Sequence, residues 1–484
     1  MTKVLLSIGA VVFCIAIAVV LRTAMLGSKQ IQPAPIDPID LDAARVTEKL
    51  SRSIQYRTVS SPNPEQFDGE FLGLRRYLED AFRRVHSSLT REIIGKHSLL
   101  FTWKGQDENL RPVLLMGHTD VVPVEPGTEN QWIHPPFSGY TDGGYVWGRG
   151  ALDDKITVIA SLEAIESLLA ESFRPRRTIL LAFGHDEEAG GAQGAAQIGA
   201  LLESRGIQLD YVLDEGGVIT RQIVPGISSP VALIAVSEKG YASFELVAES
   251  QGGHSSMPPA QTSVGILSAA ISRLETVPFP AILTRSVTSL YDYVGPEMPF
   301  HQRMVFANLW LFGPVLKQKL ASSPATNAMI RTTMAATMFS AGAKENLLPA
   351  KARAVVNVRI LPGETFDGTL QQLRRKINDP RIRIAPFGPI SEPSSETDVS
   401  ARGFQLLHRT IRQVQPDAIV APSLLVGATD SRHMAKLSRE TYRFLPIELT
   451  SDDLRRYHGI DERVSIENLG RAVRFYVQLI RNSQ

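Results

Sequence analysis

The sequence predicts an α/β fold: a mostly parallel sheet covered by helices, with a smaller α+β domain inserted into it. Three observations carry this. Short apolar runs alternate with amphipathic helical patterns through the first half of the chain, which is the mark of strand–helix–strand units. Clusters of Asp, Glu and His directly follow several of those runs, as expected of loops leaving the carboxyl ends of strands. The texture then changes after Lys239, where longer alternating stretches replace the short buried ones.

Taken in order, residues 4–21 are apolar apart from Ser7 and small residues, and Lys3 and Arg22 flank them. As a helix this run would be about 27 Å long, close to the ~30 Å hydrocarbon core of a bilayer. A cleaved secretory signal has a shorter apolar region and a small-x-small site after it, which is not evident here. An uncleaved transmembrane anchor over residues 1–28 is therefore favoured, with the rest of the chain extracytoplasmic. Pro33, Pro35 and Pro38 make residues 29–40 an extended, semi-rigid tether.

Helical patterns follow over 41–53 and 71–82, and a buried strand over 112–116. Residues 155–170 offer Ile156, Ile159, Leu162, Ile165 and Leu168 for burial along one helix. A short strand over 178–183 and a helix over 194–206, closed by Gly206, complete the first segment of the larger domain, 41–238. Residues 241–249 alternate like a half-exposed strand whose edge is free to pair. A helix over 263–274, a strand over 352–360, a helix over 366–377 and a strand over 381–385 fit a small α+β layer within 239–390. Residues 278–337 form a Met- and aromatic-rich insertion in that layer. Its plain reading is a helix packed on the inserted domain; a sharper one is an apolar wall for a long acyl chain. Residues 391–484 return to the larger domain and carry Asp430 and His458.

A chain of 484 residues, 43% of them hydrophobic, is too long for one ordinary core. Its 51 basic and 50 acidic residues leave a net charge of +1, with no basic stripe for a nucleic-acid partner. Cys14 is the single cysteine, which excludes an intrachain disulfide framework and a thiolate metal site. Metal chemistry would rest on His, Asp and Glu.

The clusters are Gly117-His118-Thr119-Asp120, then Gly148-Arg149-Gly150-Ala151-Leu152-Asp153-Asp154-Lys155. Next come Gly184-His185-Asp186-Glu187-Glu188, Asp214-Glu215-Gly216-Gly217 and Tyr457-His458-Gly459. Any one alone is a turn after a strand. Together they crowd carboxylates at strand ends, which is costly unless cations compensate. A solvated acidic surface would not explain why the clusters sit beside glycine and why several directly follow an apolar run. The joint pattern is that of a metal site with room for two ions.

These motifs resemble the zinc-dependent aminoacylase/carboxypeptidase metallopeptidase superfamily. The nearest branch is that of carboxypeptidase S (Gly-Xaa carboxypeptidase) and the N-fatty-acyl-amino-acid synthase/hydrolase. Residues 296–300, 304–312 and 323–328 point to that branch, and the likeness runs from Leu41 to the C-terminus. The resemblance implies two Zn2+ per chain and cleavage of an amide next to a free carboxylate, in a peptide or an N-acyl amino acid. His118 and Asp214 would complete one zinc, Glu188 and His458 the other, and Asp153 would bridge both. Glu187 would be the general base toward a bridging water, and Asp120 would support His118. A cis peptide would join Asp153 to Asp154. The inserted segment would be a lid and dimerisation domain, making a homodimer possible. Its His254, in Gly252-Gly253-His254-Ser255-Ser256, would stabilise the oxyanion. Asn346 and Arg359 would hold the substrate carboxylate, with Gly427 in a loop beside it. A dipeptidase or biosynthetic deacylase of the same fold is the nearest alternative, and an anchored, non-catalytic binding protein a more remote one.

Overall fold

A computed structural model describes residues 2–61, 64–224 and 226–484. Its large sheet is centred on Val113–His118 and Ile179–Gly184, parallel neighbours in which every residue is buried. Such unbroken apolar strands need cover on both faces. One face is covered by Lys155–Ala170, packed between Ala43–Ile54 and Ile466–Asn482. The other is covered by Ala195–Ser204, where Ile198 and Leu202 meet Met434 and Leu437. Val212–Asp214 and Thr441–Arg443 extend the parallel core, and Ile419–Leu425 runs parallel to Val231–Glu238. Antiparallel strands Thr90–Ile94 and Ser98–Trp103 close one edge, so the sheet is mixed at its margins and parallel at its centre.

The chain leaves this sheet at Glu238 and enters a second one at Gly240. That sheet is antiparallel, in the order Thr333–Ala341, Lys351–Ile360, Gly240–Glu249, Ile382–Pro386. Helices Ser263–Thr276 and Phe366–Ile377 pack on it through Leu267, Leu274, Leu373 and Ile377. Here one expectation is corrected. The strand 240–249 is central and almost wholly buried, with partners on both sides. The edge strands are Thr333–Ala341 and Ile382–Pro386, and on the first Met338 and Phe339 are half exposed. Small residues and weak alternation hide that strand at the end of the insertion.

The insertion folds as helices Arg285–Val294, Phe300–Ala307, Leu309–Leu320 and Pro324–Met329. The first lies against Ile419–Leu425 of the large sheet. Val287, Leu316, Leu320 and Ile330 form a private core, and Phe306 stacks on Tyr291 at 4.3 Å. Met298 is buried in the main core.

The N-terminal run is a single helix, Thr2–Met25, long and apolar enough to cross a membrane. The proline-bearing stretch after it is docked on the body rather than a free spacer. Gln30 bonds Val420 through both its amide nitrogen and its amide oxygen, His408 Nε2 accepts the Ile31 N–H, and Lys29 reaches Asp292. Proline sets an extended backbone, but unpaired polar groups along the body decide where it lies.

Candidate metal centre

His118 ends a buried strand, so its imidazole emerges at the sheet's carboxyl edge. Its Nδ1 donates to the Asp120 carbonyl at 2.9 Å, with the Asp120 carboxylate at 3.4 Å. That tautomer leaves Nε2 to face the cavity. There it lies 2.9 Å from Asp153 Oδ1 and 3.6 Å from Glu215 Oε1. The other Asp153 oxygen lies 3.0 Å from His458 Nε2, which is itself 3.2 Å from Glu188 Oε1. One carboxylate thus stands between two imidazoles, each with its own further carboxylate.

Loops hold these groups in place. The Asp120 carboxylate accepts the backbone N–H of Glu187 and of Glu188, both at 3.1 Å, and so sets the pair that follows the 179–184 strand. The loop bearing Asp153 is tied by Glu462, which accepts from the N–H groups of Gly150, Leu152 and Asp153 and pairs with Arg149 at 2.6 Å. Arg149 also donates to the His458 carbonyl at 3.2 Å. His458 has a positive φ of 55°, a conformation that costs a non-glycine residue energy and persists only when its surroundings hold it. The Asp153–Asp154 peptide is cis.

The electrostatics are those of a site short of positive charge. Burial, then the field of Asp153, pushes Glu215 up to about 8. Removal from water lifts Glu187 well above the ordinary carboxylate range, and Asp430 and Glu215 add to it. Glu188 is raised by burial. His458 is pushed up to about 10 by its hydrogen bonds to Asp153 and Glu188. Buried acids that raise one another are stabilised when cations enter. Two donor groups, His118–Asp153–Glu188 and His118–Asp154–Glu215, each converge within 4.8 Å. Glu188 Oε1 is buried, with His458 Nε2 at 3.2 Å. Oxygen and imidazole donors in this pattern fit a divalent ion such as zinc.

One expected ligand is displaced. Asp214 turns away, its oxygens accepting from the backbone N–H of Glu215 at 3.0 Å and of Ser431 at 2.7 Å. Consecutive side chains at a strand end point to opposite sides, and it is Glu215 that faces His118. The sequence holds this signal in Asp214-Glu215, but the face cannot be chosen without the strand's orientation. Glu462 also escapes sequence reasoning, since nothing marks a lone Glu in the loop after His458. Asp430 lies under the site, fully buried, and among the described residues neither carboxylate oxygen has a hydrogen-bond partner; burial holds its pKa well above the usual range.

The lid residues are placed differently. Arg359 is half-buried, stacks on Tyr241 at 4.8 Å and feels the charge of Glu187. His254 and Asn346 lie together on an exposed ribbon, Gly253–His254 paired with Leu347–Leu348. His254 Nδ1 accepts from Ser256, and the Asn346 carbonyl accepts from Ser255. Among the described residues neither bonds to the acidic cavity. Gly427 sits in an open loop before Thr429, which donates to buried Glu238. His185 bonds Ser98 and takes no part in the cluster.

An α/β sheet presenting these donors at its carboxyl edge, with a small domain inserted beside them, defines a metal-dependent hydrolase. The chain belongs to the peptidase family M20/M25/M40, whose pattern matches residues 114–482. It is 39% identical over 481 residues to a probable carboxypeptidase S-like 2 of Dictyostelium discoideum, covering 97% of this chain and 92% of the relative. It is 41% identical over 445 residues to the N-fatty-acyl-amino acid synthase/hydrolase PM20D1 of Xenopus tropicalis, covering 91% and 86%. Its fold is shared with the M20 family metallo-carboxypeptidase Sso-CP2 from Sulfolobus solfataricus, at a TM-score of 0.66 and 18% identity, over 90% of this chain and 99% of that one.

Proposed function

We propose that this chain is a dizinc amidohydrolase that cleaves an amide next to a free carboxylate, taking an N-acyl amino acid or the C-terminal residue of a peptide. The observation that carries the proposal is the Asp153 carboxylate, shared between His118 at 2.9 Å and His458 at 3.0 Å. His118, Asp153 and Glu215 would hold one zinc, and Asp153, Glu188 and His458 the other. Bound there, zinc would supply Lewis acidity to the scissile carbonyl and acidify the attacking water. Glu187 takes the water's proton and returns it to the leaving amine. Asp120 fixes the His118 imidazole and the Glu187 backbone together. Arg359 binds the substrate carboxylate, with its guanidinium kept flat by Tyr241. Asn346 and the loop at Gly427 flank that carboxylate. His254 donates to the oxyanion from a second copy, which pairs along the free edge Thr333–Ala341. The 239–390 domain is the lid that carries these groups. The N-terminal helix anchors the chain in a membrane, with the catalytic body on the extracytoplasmic side.

The relatives named for carboxypeptidase S-like and N-fatty-acyl-amino acid chemistry support this substrate class. The test is a panel of N-acyl amino acids, each beside its carboxamide twin, with the zinc-loaded enzyme. The acids should turn over and the twins fall behind by about 10²-fold or more, since the Arg359 guanidinium is left without its carboxylate partner in the neutral analogue. Equal turnover of both series rejects carboxylate recognition.

A further inference from the structure

The N-terminal helix does not stand apart from the body. The Asn308 side-chain amide donates to the Val19 carbonyl and the Thr23 hydroxyl, both at 3.2 Å, and Val19 and Thr23 are buried there. Leu26 packs against Gly295. Val19 lies inside the apolar run, so this contact sits at the depth of the helix's last turns, where the hydrocarbon ends.

The helix that begins next to Asn308, Leu309–Leu320, turns apolar side chains outward. Trp310 donates its indole N–H to Asn308 Oδ1 at 3.3 Å, yet is 54% exposed. Leu311 is 40% exposed, Val315 62% and Phe300 53%. On Leu309–Leu320 the outward residues are Trp310, Leu311, Pro314 and Val315, while Gly313, Leu316 and Leu320 face the protein. That spacing is one continuous stripe on one side of a helix. The stripe ends at Gln318, with Lys317 and Lys319 in the last turn. An apolar half followed by lysines is the layout of a helix entering a lipid interface, with cations at the headgroups and an aromatic ring at the boundary. From 310 to 315 the axis spans about 8 Å, comparable to the ~5–10 Å that interfacial helices sink.

We propose that the Trp310–Leu311–Val315 face is a second membrane contact, seated in the lipid interface beside the N-terminal anchor. This rests on the anchor reading, because the bond from Asn308 to Val19 sets the depth. The occupant is the bilayer itself. Two contacts on one body fix its tilt, which a single helix and a free tether could not do.

The test uses the full chain in vesicles of phosphatidylcholine and phosphatidylserine. Trp103, Trp132 and Trp147 are buried, so the difference in emission between the parent and Trp310→Phe isolates Trp310. Lipids brominated on the acyl chain should roughly halve that difference signal, since an interfacial ring lies within their reach. The double variant Leu311→Glu, Val315→Glu should lose the quenching while keeping hydrolysis of a water-soluble substrate. An unquenched Trp310 overturns the proposal. So does a ring shielded from acrylamide but not quenched by bromolipid, because a protein surface then covers it. Quenching that survives in the double variant overturns it as well. Cys14, exposed and in the span, reads the anchor separately. If it resists a charged maleimide while Trp310 goes unquenched, the anchor stands and the second contact falls. If it reacts, the anchor reading fails, and the bromolipid result still decides the contact.

Discussion

In the acidic cavity nearly every group is held by the chain itself, whereas the lid ribbon leaves its two polar side chains in solvent. Asp120 is buried and clamps two backbone N–H groups; Asp153 touches two imidazoles; Glu462 ties three N–H groups of one loop. By contrast, among the described residues the His254 side chain bonds only Ser256, and Asn346 is exposed. The contrast separates the chemistry a single chain completes from the chemistry it leaves open. Preorganised charge must be fixed before substrate arrives. A group that closes over the substrate is left free until another surface, or a domain movement, supplies its place.

Glu187→Gln strikes the closed side hardest. Its ligand set is untouched, so it should keep its metal and lose about 10²–10⁴ in kcat, the scale of one general base. Metal analysis beside steady-state rates checks it, and near-normal turnover in a metal-replete sample removes Glu187 from the mechanism.

His254→Ala probes the open side. It should fold and load metal normally, with kcat down about 10²–10³-fold, as for one lost oxyanion donor. Mixing it with Glu187→Gln should restore part of the rate if the ribbon serves a second copy, because one site of the mixed dimer has both groups. No recovery, together with a monomer by light scattering, would place the closing movement within one chain.

A pair of variants resolves the closed side more finely. Glu215→Ala should bind metal about 10–100-fold more weakly, or lose one ion, while Asp214→Asn should keep both and change little beyond loop order. Isothermal titration with zinc separates them. The opposite ranking would return Asp214 to the ligand set and mean that residues 214–215 turn the other way when metal binds.

The smallest effect lies far from both regions. Burial, and then Arg412, depress His408 to about 4, and its Nε2 accepts the Ile31 N–H. Its folded pKa is below the unfolded value near 6.5, so the unfolded chain binds more protons between those values. Stability should therefore fall as pH drops from about 6.5 toward 4, by ~2 kcal/mol at pH 5 from this group. His408→Gln should flatten that part of the profile in thermal melts at pH 7.5 and pH 5. An unchanged slope would mean that His408 is hydrated in solution.

The kind of fold and the kind of site are both legible along the chain. Unbroken apolar strands, amphipathic helices and His or carboxylate clusters behind them are local patterns, and local patterns can be read in one dimension. His118, Asp120, Asp153, Glu187, Glu188 and His458 can be named because each sits in a motif with glycines around it. Whatever depends on direction or partner waits for the folded chain. Folding turns Glu215 rather than Asp214 toward His118, because side-chain direction at a strand end follows from how the strand is set in the sheet. It places the 240–249 strand in the centre and 333–341 at the edge, because pairing joins residues far apart in the chain. It recruits Glu462 to the Asp153 loop, a contact across 309 positions that no spacing rule foresees. It also lays the proline segment and the N-terminal helix against the body, since the residues that receive them, His408, Val420 and Asn308, carry no motif at all.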